Sequence, residues 1–219
     1  VFTGNLTWNE IPGGESEIYD WDPESTYIQE PPFFQDLTPE LPDIEEIRGA
    51  RVLALLSDSI TTDHISPAGP WLRFRGHLDR ISDNMYSGAN NMFSRTPGTG
   101  FNVFTGQDEQ PINEIARDYK SRGQGWVAVG DENFGEGSSR EHAAMSPRFL
   151  GARAVLVRSF ARIHQTNLKK QGVLPLIFAD PADYDKIQRD DRLTLLGLDK
   201  IAPGSVVKVE IRHADGKTE

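Results

Sequence analysis

The feature that most constrains the fold is a strand, a glycine-rich loop and a helix that follow one another in the middle of the chain. Residues 125–129 form a short, apolar and partly β-branched run, which predicts a buried strand. Residues 141–149 predict a short helix, with Ser138 or Ser139 placed to cap it. A glycine loop that leads from a strand into a helix lets the backbone approach an anionic ligand.

The same loop carries side chains that suit a carboxylate. Ser138 and Ser139 supply two hydroxyls, and Arg140 adds a planar cation that can hold both oxygens of a carboxyl group. A plain glycine turn with a serine cap accounts for the same residues. Spacing alone leaves both interpretations open.

Three blocks of sequence resemble the aconitase family, in that family's own order. They are GDENFGEGSSREH at 130–142, TTDHISPAGPWLRFRGH at 61–77 and SFARIHQTNLKKQG at 159–172. The resemblance covers roughly residues 48 to 219 and is confined to the C-terminal, mobile swivel domain of aconitases. It implies that the catalytic iron–sulfur domains of the family lie outside this chain.

Strand-like and helix-like segments alternate along the same region, which predicts a layered α/β domain. The predicted strands are 52–56, 152–157, 173–178, 192–196 and 206–212. The predicted helices are 111–122 and 160–171, the second capped by Ser159. Residues 57–66 and 79–110 are predicted to be loops. Together with the resemblance, this gives a layered β/β/α swivelling domain at 48–219, preceded by an extended connector at 1–47.

The predicted connector differs from the rest in charge and in proline content. Residues 1–47 hold 12 acidic residues and no Lys or Arg, whereas the remainder holds 21 acidic against 23 basic residues. Six of the 14 prolines also fall there, and proline continues neither a helix nor a central strand. Its aromatic side chains are expected to lie against the globular surface or against a domain outside this chain.

Composition also limits the kinds of site within this chain. The absence of cysteine excludes disulfides and thiolate metal sites, and the histidines lack metal-ligand spacing, so no metal ligand is predicted. His142, His164 and His213 are expected to be structural or surface residues. The sequence contains no run of about 18 apolar residues, so no membrane span is predicted. No targeting segment is recognised either. Because the sequence begins at Val1, we expect a segment of a longer protein or a small subunit.

The resemblance implies a hydro-lyase of the tricarboxylic acid cycle, an aconitate hydratase that interconverts citrate and isocitrate through cis-aconitate. It makes Ser138 the catalytic base, Ser139 and Arg140 substrate contacts, and Arg75 a carboxylate clamp. The [4Fe-4S] cluster of the complete enzyme would act as Lewis acid on the departing hydroxyl, with its ligands outside this chain. The expected partners are therefore the iron–sulfur domains, in cis or as a large subunit, and a tricarboxylic acid substrate. The chain alone is expected to be inactive.

Two further pairs of residues need an interpretation. Arg73 and Arg75 would point to one side of an extended chain, and the resemblance gives the substrate role to Arg75 and not to Arg73. Asp63 and His64 could suggest acid–base chemistry, although sequence neighbours on a strand do not face each other. A loop fixed by hydrogen bonds is the plainer alternative, and the resemblance places this segment near the domain interface and the cleft.

Two alternative functions remain at this point. One is the small subunit of an isopropylmalate dehydratase or homoaconitase, which shares the Gly-Ser-Ser-Arg loop. The other is an RNA-binding regulator of the aconitase superfamily, but a net charge of −10 without a basic stripe predicts poor nucleic-acid binding by this chain alone. The expected compartment is the cytoplasm, as in the bacterial type, or the mitochondrial matrix.

Overall fold

The computed structural model describes residues 3–13, 17–35, 37–138 and 140–219. Within these residues the strands are β1 (Ile47–Leu56), β2 (Thr99–Asn102), β3 (Gln107–Pro111), β4 (Trp126–Gly130), β5 (Ala152–Val157), β6 (Leu174–Ile177), β7 (Arg192–Leu196) and β8 (Lys208–Arg212). The α-helices are α1 (Leu6–Asn9), α2 (Thr62–Ile65), α3 (Leu78–Ile81), α4 (Ile112–Ser121), α5 (His142–Phe149) and α6 (Arg162–Lys170). Short 3₁₀ helices include Gly69–Phe74 and Pro181–Lys186.

The described chain builds one six-stranded sheet in the order β6-β5-β4-β1-β7-β8. The four strands from β6 to β1 run parallel, whereas β7 and β8 pair antiparallel. Strands β2 and β3 form a separate two-stranded hairpin. The carboxyl ends of β1, β4 and β5 meet at one edge, which brings the loops after these strands together.

Apolar side chains cover both faces of the sheet. On one face, helices α4, α5 and α6 bury a cluster around Trp126, whose indole Nε1 donates to the Leu150 carbonyl at 2.8 Å. On the other face, Tyr184, Ile187 and Leu198 pack against apolar residues of β1, β4, β5 and β7. This mixed, layered arrangement confirms the predicted α/β class.

Several predicted elements need correction at their starts. Neither Ser138 nor Ser159 forms its predicted cap: α5 begins after Glu141 and α6 after Ala161, with no side-chain cap at either position among the described residues, and Ser139 lies outside them. The Ser159 hydroxyl instead accepts a hydrogen bond from the Asn133 backbone N–H at 2.8 Å. The serine predicted to start α6 therefore supports the glycine loop.

Both segments predicted as loops contain short elements. Residues 57–66 include α2, which is held by a capping box in which Thr61 Oγ1 accepts from the His64 N–H and the Thr61 N–H donates to His64 Nδ1. Residues 79–110 include most of α3 and the β2–β3 hairpin. Helices of four residues are too short to show a periodic apolar pattern, which explains why sequence reasoning missed them.

The described parts of residues 1–46 contain only the short helices α1 and Pro32–Phe34. They meet the domain where Ile28 bridges Gly76, and the Gln29 N–H donates to the Gly76 carbonyl at 3.0 Å. A side chain at Gly76 would overlap the Tyr27 carbonyl oxygen, so this close crossing requires glycine. The predicted boundary at residue 47 stays a prediction.

The aromatic side chains of this segment are largely open to solvent; Trp8, for example, is 70% exposed. The expectation that they lie on the globular surface is therefore not met, whereas docking on a domain outside this chain stays a prediction. No helix in the described residues combines the length and apolar character needed to cross a bilayer.

Candidate functional site

The glycine loop at 131–141 leaves the carboxyl end of β4 and folds over the neighbouring loops. Gly135 has a left-handed backbone, with φ of +84°, and its N–H donates to the Ile60 carbonyl at 2.6 Å. A side chain at Gly135 would overlap the ring of His164, which lies directly beneath it in α6. Glycine is thus required here both for its backbone conformation and for the close approach of a buried ring.

Hydrogen bonds fix this loop from two sides. On the β1 side, the Thr62 N–H donates to the Glu136 carbonyl at 2.8 Å, and Thr62 Oγ1 donates to the Ser138 carbonyl at 3.2 Å. On the β5 side, the Phe134 N–H donates to the Ser159 carbonyl at 3.0 Å. The backbone that presents Ser138 is therefore set by two of the three sequence blocks that resemble the aconitase family.

The start of the loop is held by an ion pair. Arg158 Nη1, at the end of β5, donates to both carboxylate oxygens of Asp131 at 2.9 and 3.1 Å, and Nη2 donates to Asp185 at 3.1 Å. The guanidinium also lies over the ring of Tyr184, 4.4 Å from its centroid. The hydrogen bond to Asp131 is the largest cause of a raised pKa at Arg158. Asp131 and Arg158 are thus structural anchors that the sequence analysis did not identify.

Two of the predicted site residues on this loop, Ser138 and Arg140, differ in their exposure. Ser138 is exposed, whereas the Arg140 side chain keeps only 21% of its surface. Arg140 Nη1 donates to the Asp63 carboxylate and to the Ser66 carbonyl, the latter at 3.1 Å. Ser139, the second predicted hydroxyl, lies outside the described residues.

The contact with Arg140 decides between the two interpretations of Asp63 and His64. Hydrogen bonding from the Arg140 guanidinium, with a smaller contribution from its charge, lowers the pKa of Asp63, so this carboxylate is ionised at neutral pH. Asp63 therefore orients a predicted substrate contact, while His64 closes the capping box of α2. Sequence reasoning placed Asp63 and Arg140 in separate blocks and had no signal that paired them.

Arg75 reaches the same region through its backbone. The Arg75 carbonyl accepts a hydrogen bond from His142 Nε2 at 2.8 Å, and His142 is the first residue of α5. Because Arg75 ends the 3₁₀ helix Gly69–Phe74, the expectation of an extended chain through Arg73 and Arg75 is wrong. Arg73 instead lies over the ring of its neighbour Phe74, 4.6 Å from the centroid, and the Arg75 side chain is exposed.

His164 provides the buried support of the loop. Its side chain is 1% exposed, contacts the Phe134 ring and has no hydrogen-bond partner for Nδ1 among the described residues. Burial lowers its pKa to about 4, so the ring is neutral at pH 7. The predicted structural role of His164 agrees with this position.

The residues present do not suit a metal or an iron–sulfur cluster. The sequence has no cysteine, and the described residues contain no group of three or more His, Asp or Glu side chains that could hold a metal ion. The chemistry that this site itself offers is the exposed Ser138 hydroxyl on a loop whose backbone is fixed, with the Arg140 guanidinium held by Asp63 two positions further along the chain.

The sequence and the fold of this chain are similar to those of known proteins. The sequence model of the Aconitase C-terminal domain family matches residues 50–181. A probable mitochondrial aconitate hydratase of Dictyostelium discoideum is 50% identical over 208 residues, which is 95% of this chain and 26% of that protein. The mitochondrial aconitate hydratase of Saccharomyces cerevisiae is 52% identical over 175 residues, 80% of this chain and 22% of that protein. The chain thus spans about a quarter of the length of these relatives.

A solved structure agrees with the sequence relatives. The crystal structure of a 3-isopropylmalate dehydratase (leuD) from Methanocaldococcus jannaschii is similar to this chain with a TM-score of 0.51 and 28% identity, covering 80% of each chain. The family match includes the glycine loop, the Asp63 loop and the Arg75 turn. The chain belongs to the aconitase C-terminal domain family.

Proposed function

We propose that this chain is the C-terminal swivel domain of an aconitate hydratase and supplies the base and carboxylate contacts for the interconversion of citrate and isocitrate. The observation that carries the proposal is the convergence of three segments: Asp63 holds Arg140, His142 holds the backbone of Arg75, and Thr62 holds the backbone of Ser138. These contacts fix the Arg140 guanidinium and the backbones of Ser138 and Arg75, whose side chains are exposed.

In this proposal Ser138 removes a proton from the substrate carbon next to a carboxylate. Arg75 and Arg140 each bind a carboxylate, because a guanidinium can donate two parallel hydrogen bonds to it. Asp63 limits the rotation of the Arg140 side chain, and Ser139 contributes a further hydrogen bond to the substrate. The substrate in this proposal is a tricarboxylic acid, and Arg75 and Arg140 account for two of its three carboxylates.

A serine base needs help that this domain alone does not provide. Lowering the pKa of a hydroxyl by about six units requires about 8 kcal/mol. A helix N-terminus stabilises an anion by at most about 2 kcal/mol and acts within one turn, whereas Ser138 precedes the first residue of α5 by four positions. Because Ser138 is also exposed, we propose that the remaining domains of the enzyme close over it and exclude water.

The iron–sulfur cluster belongs to those remaining domains in this proposal. This chain has no cysteine to ligate it. We propose domains in cis, because the aconitate hydratase relatives are about four times longer than their matching segment. Both relatives are named mitochondrial, so of the two expected compartments we propose the mitochondrion.

The isopropylmalate dehydratase alternative has weaker support. The solved structure with that name is 28% identical, whereas the aconitate hydratases named above are 50% and 52% identical. The RNA-binding alternative gains no support, since the chain carries a net charge of −10 and the Arg140 guanidinium is already paired with Asp63.

The test is a chimera, the Dictyostelium relative with its matching segment replaced by this chain. We expect the chimera to hydrate cis-aconitate and the isolated chain to do so at no measurable rate. An inactive but folded chimera that carries its cluster, or an isolated chain that hydrates cis-aconitate, would contradict the proposal. Activity of the chimera on isopropylmalate instead of citrate would favour the alternative.

A further inference from the structure

Three arginines stand side by side on the sheet, away from the glycine loop. Arg51 of β1 pairs in register with Arg192 of β7, and Arg192 pairs with Arg212 of β8. Residues that are directly opposite on neighbouring strands project from the same face. Like charges in such positions repel each other. The row therefore destabilises the sheet unless an anion lies beside it.

The row borders a cavity of about 400 Å³ between the sheet and the β2–β3 hairpin. The described residues that line it include Phe101 and Val103 from the hairpin region and Asp190 as the one carboxylate. Three guanidiniums thus face a single acidic side chain. The volume lies within the range of about 300–1,000 Å³ that small-molecule sites occupy.

Arg51 has donor capacity that the protein leaves unused. Its Nη1 donates to the Asp190 backbone carbonyl at 3.0 Å, but its buried Nε has no hydrogen-bond partner among the described residues. Burial, followed by the charge of Arg192, lowers the pKa of the Arg51 guanidinium. A buried donor without a partner costs free energy, and an anion in the cavity would satisfy it.

The neighbouring charged groups are already engaged. Arg189 lies over the Phe101 ring, 4.1 Å from its centroid, and its Nη1 pairs with Asp108 at 3.2 Å. The His213 side chain, which also lines the cavity, contacts buried Asp191 through Nδ1 at 2.7 Å. Neither contact neutralises the row formed by Arg51, Arg192 and Arg212.

This cavity is distinct from the candidate functional site. Along the parallel pair β1 and β4, Arg51 pairs with Trp126 at the amino end, and Leu56 pairs with Gly130 at the end where the glycine loop begins. Five residues of strand separate the two ends, which corresponds to roughly 16 Å. The two sites therefore lie at opposite ends of the parallel strands.

We propose that this cavity binds a small multivalent oxyanion, a phosphate group that is either free or carried by a small metabolite. A guanidinium matches the oxygens of phosphate in geometry as well as in charge. A dianion offers enough acceptors for Arg51 Nε and for both neighbouring arginines. Phe101 and Val103 provide an apolar wall for the organic part of a phosphorylated ligand.

The test is a titration of the ¹⁵N-labelled chain with inorganic phosphate at constant ionic strength, followed by amide NMR. We expect concentration-dependent shifts at Ala214 and Gly216, which line the cavity. Arg212→Gln should weaken binding by about tenfold or more, because a hydrogen bond to a charged group is lost. A parallel titration with adenosine monophosphate, with adenosine as its control, separates a phosphorylated metabolite from free phosphate: tighter binding of the nucleotide favours the metabolite.

Two further variants serve as controls for this titration. Arg153→Gln removes an exposed strand arginine that does not line the cavity and should leave the affinity unchanged. Thermal unfolding in a chloride buffer shows whether Arg212→Gln folds. If it does not, Arg192→Gln takes its place in the titration. Shifts confined to residues 131–141, no shifts at all, or equal weakening by Arg153→Gln would overturn the proposal.

Discussion

The fold holds the two arginines of the proposed site in different ways. Arg140 is positioned through its side chain, which Asp63 and the Ser66 carbonyl fix. Arg75 is positioned through its backbone, which accepts from His142, and its exposed side chain reaches beyond the domain surface. At the scale of single residues, substrate binding by Arg75 is therefore expected to depend mainly on its own guanidinium group.

We predict that Arg75→Lys in the chimera weakens substrate binding by roughly 1.5–3 kcal/mol, the usual contribution of a hydrogen bond to a charged group. An ammonium is a point charge and cannot replace the two parallel bonds of a guanidinium. Steady-state kinetics with citrate give the result as a raised KM. Arg73→Lys is the matched control and should change neither KM nor kcat. Equal kinetics for Arg75→Lys and the parent chimera would show that Arg75 is only a surface residue.

The residues of the site could be predicted from the sequence only in part. Ser138, Ser139, Arg140 and Arg75 are predicted site residues because their blocks resemble those of a known family, and they stay predictions. The pairing of Asp63 with Arg140 joins residues 77 positions apart, and neither residue type is unusual at a surface. Such a partner depends on tertiary packing, which a single sequence does not reveal.

At the scale of elements, the glycine loop rests on helix α6. Gly135 lies against the His164 ring, which also contacts the ring of Phe134 in the same loop. The loop has little room for adjustment, since its backbone is bonded on both sides. The conformation of the loop and the position of α6 are therefore coupled.

We predict that Gly135→Ala destabilises the chain by about 1–3 kcal/mol more than Gly197→Ala does, the usual effect of overpacking. Both glycines have left-handed backbones, at φ of +84° and +78°, but a side chain at Gly197 would meet open space. The difference between the two stability losses therefore excludes the strain of the left-handed backbone and reports the packing against His164. Urea unfolding measures both values. Equal losses for the two variants would contradict the contact between Gly135 and His164.

The buried histidine also predicts how stability depends on pH. The pKa of His164 is about 4 in the folded chain, against about 6.5 when it is unfolded, so below pH 6.5 protons bind preferentially to the unfolded chain. Its contribution to stability is complete above pH 6.5 and is lost as the pH falls towards 4. Between pH 7.5 and 5 we expect a loss of about 2 kcal/mol from this group.

Urea unfolding of the parent chain and of His164→Gln at pH 7.5, 6 and 5 checks this expectation. The variant lowers stability at every pH, because a buried ring is removed, but it should lack the part of the pH dependence that His164 causes. If the stability of the two proteins changes with pH in the same way, His164 takes up a proton as easily in the folded chain as in the unfolded chain.

The elements themselves were predictable where they were long and regular. Helix α4 shows its apolar spacing over ten residues, and β5 and β7 are apolar or alternating runs at their predicted positions. Helices α2 and α3 have four residues each and depend on local side-chain bonds at their starts. Propensity and periodicity carry too little information over such lengths.

At the scale of the whole molecule, the layered α/β architecture follows from the alternation of buried strands and amphipathic helices. The row formed by Arg51, Arg192 and Arg212 does not, because it depends on the register between strands that are about 140 residues apart in sequence. The order of the strands in the sheet was likewise invisible, since periodicity identifies strands but not their neighbours.

The exposure of Ser138 limits what this chain can do alone. Its hydroxyl lies on the open side of the glycine loop, and the nearby positive charge of Arg140 is partly balanced by Asp63. In the proposed function, activation of Ser138 as a base therefore requires closure by the remaining domains, and the complete enzyme is the form in which to test it.

The most direct test compares Ser138→Ala with Ser139→Ala in the chimera, by kcat, KM and melting temperature. Ser138 is exposed and does not cap α5, so its loss should change stability by no more than about 0.5 kcal/mol. We expect Ser138→Ala to lower kcat by at least about 10²–10⁴-fold with little change in KM, because a positioned base is removed. Ser139→Ala should act mainly on KM. If Ser138→Ala keeps most of its kcat, or if both serines give the same modest loss, the loop binds carboxylates and the base lies elsewhere.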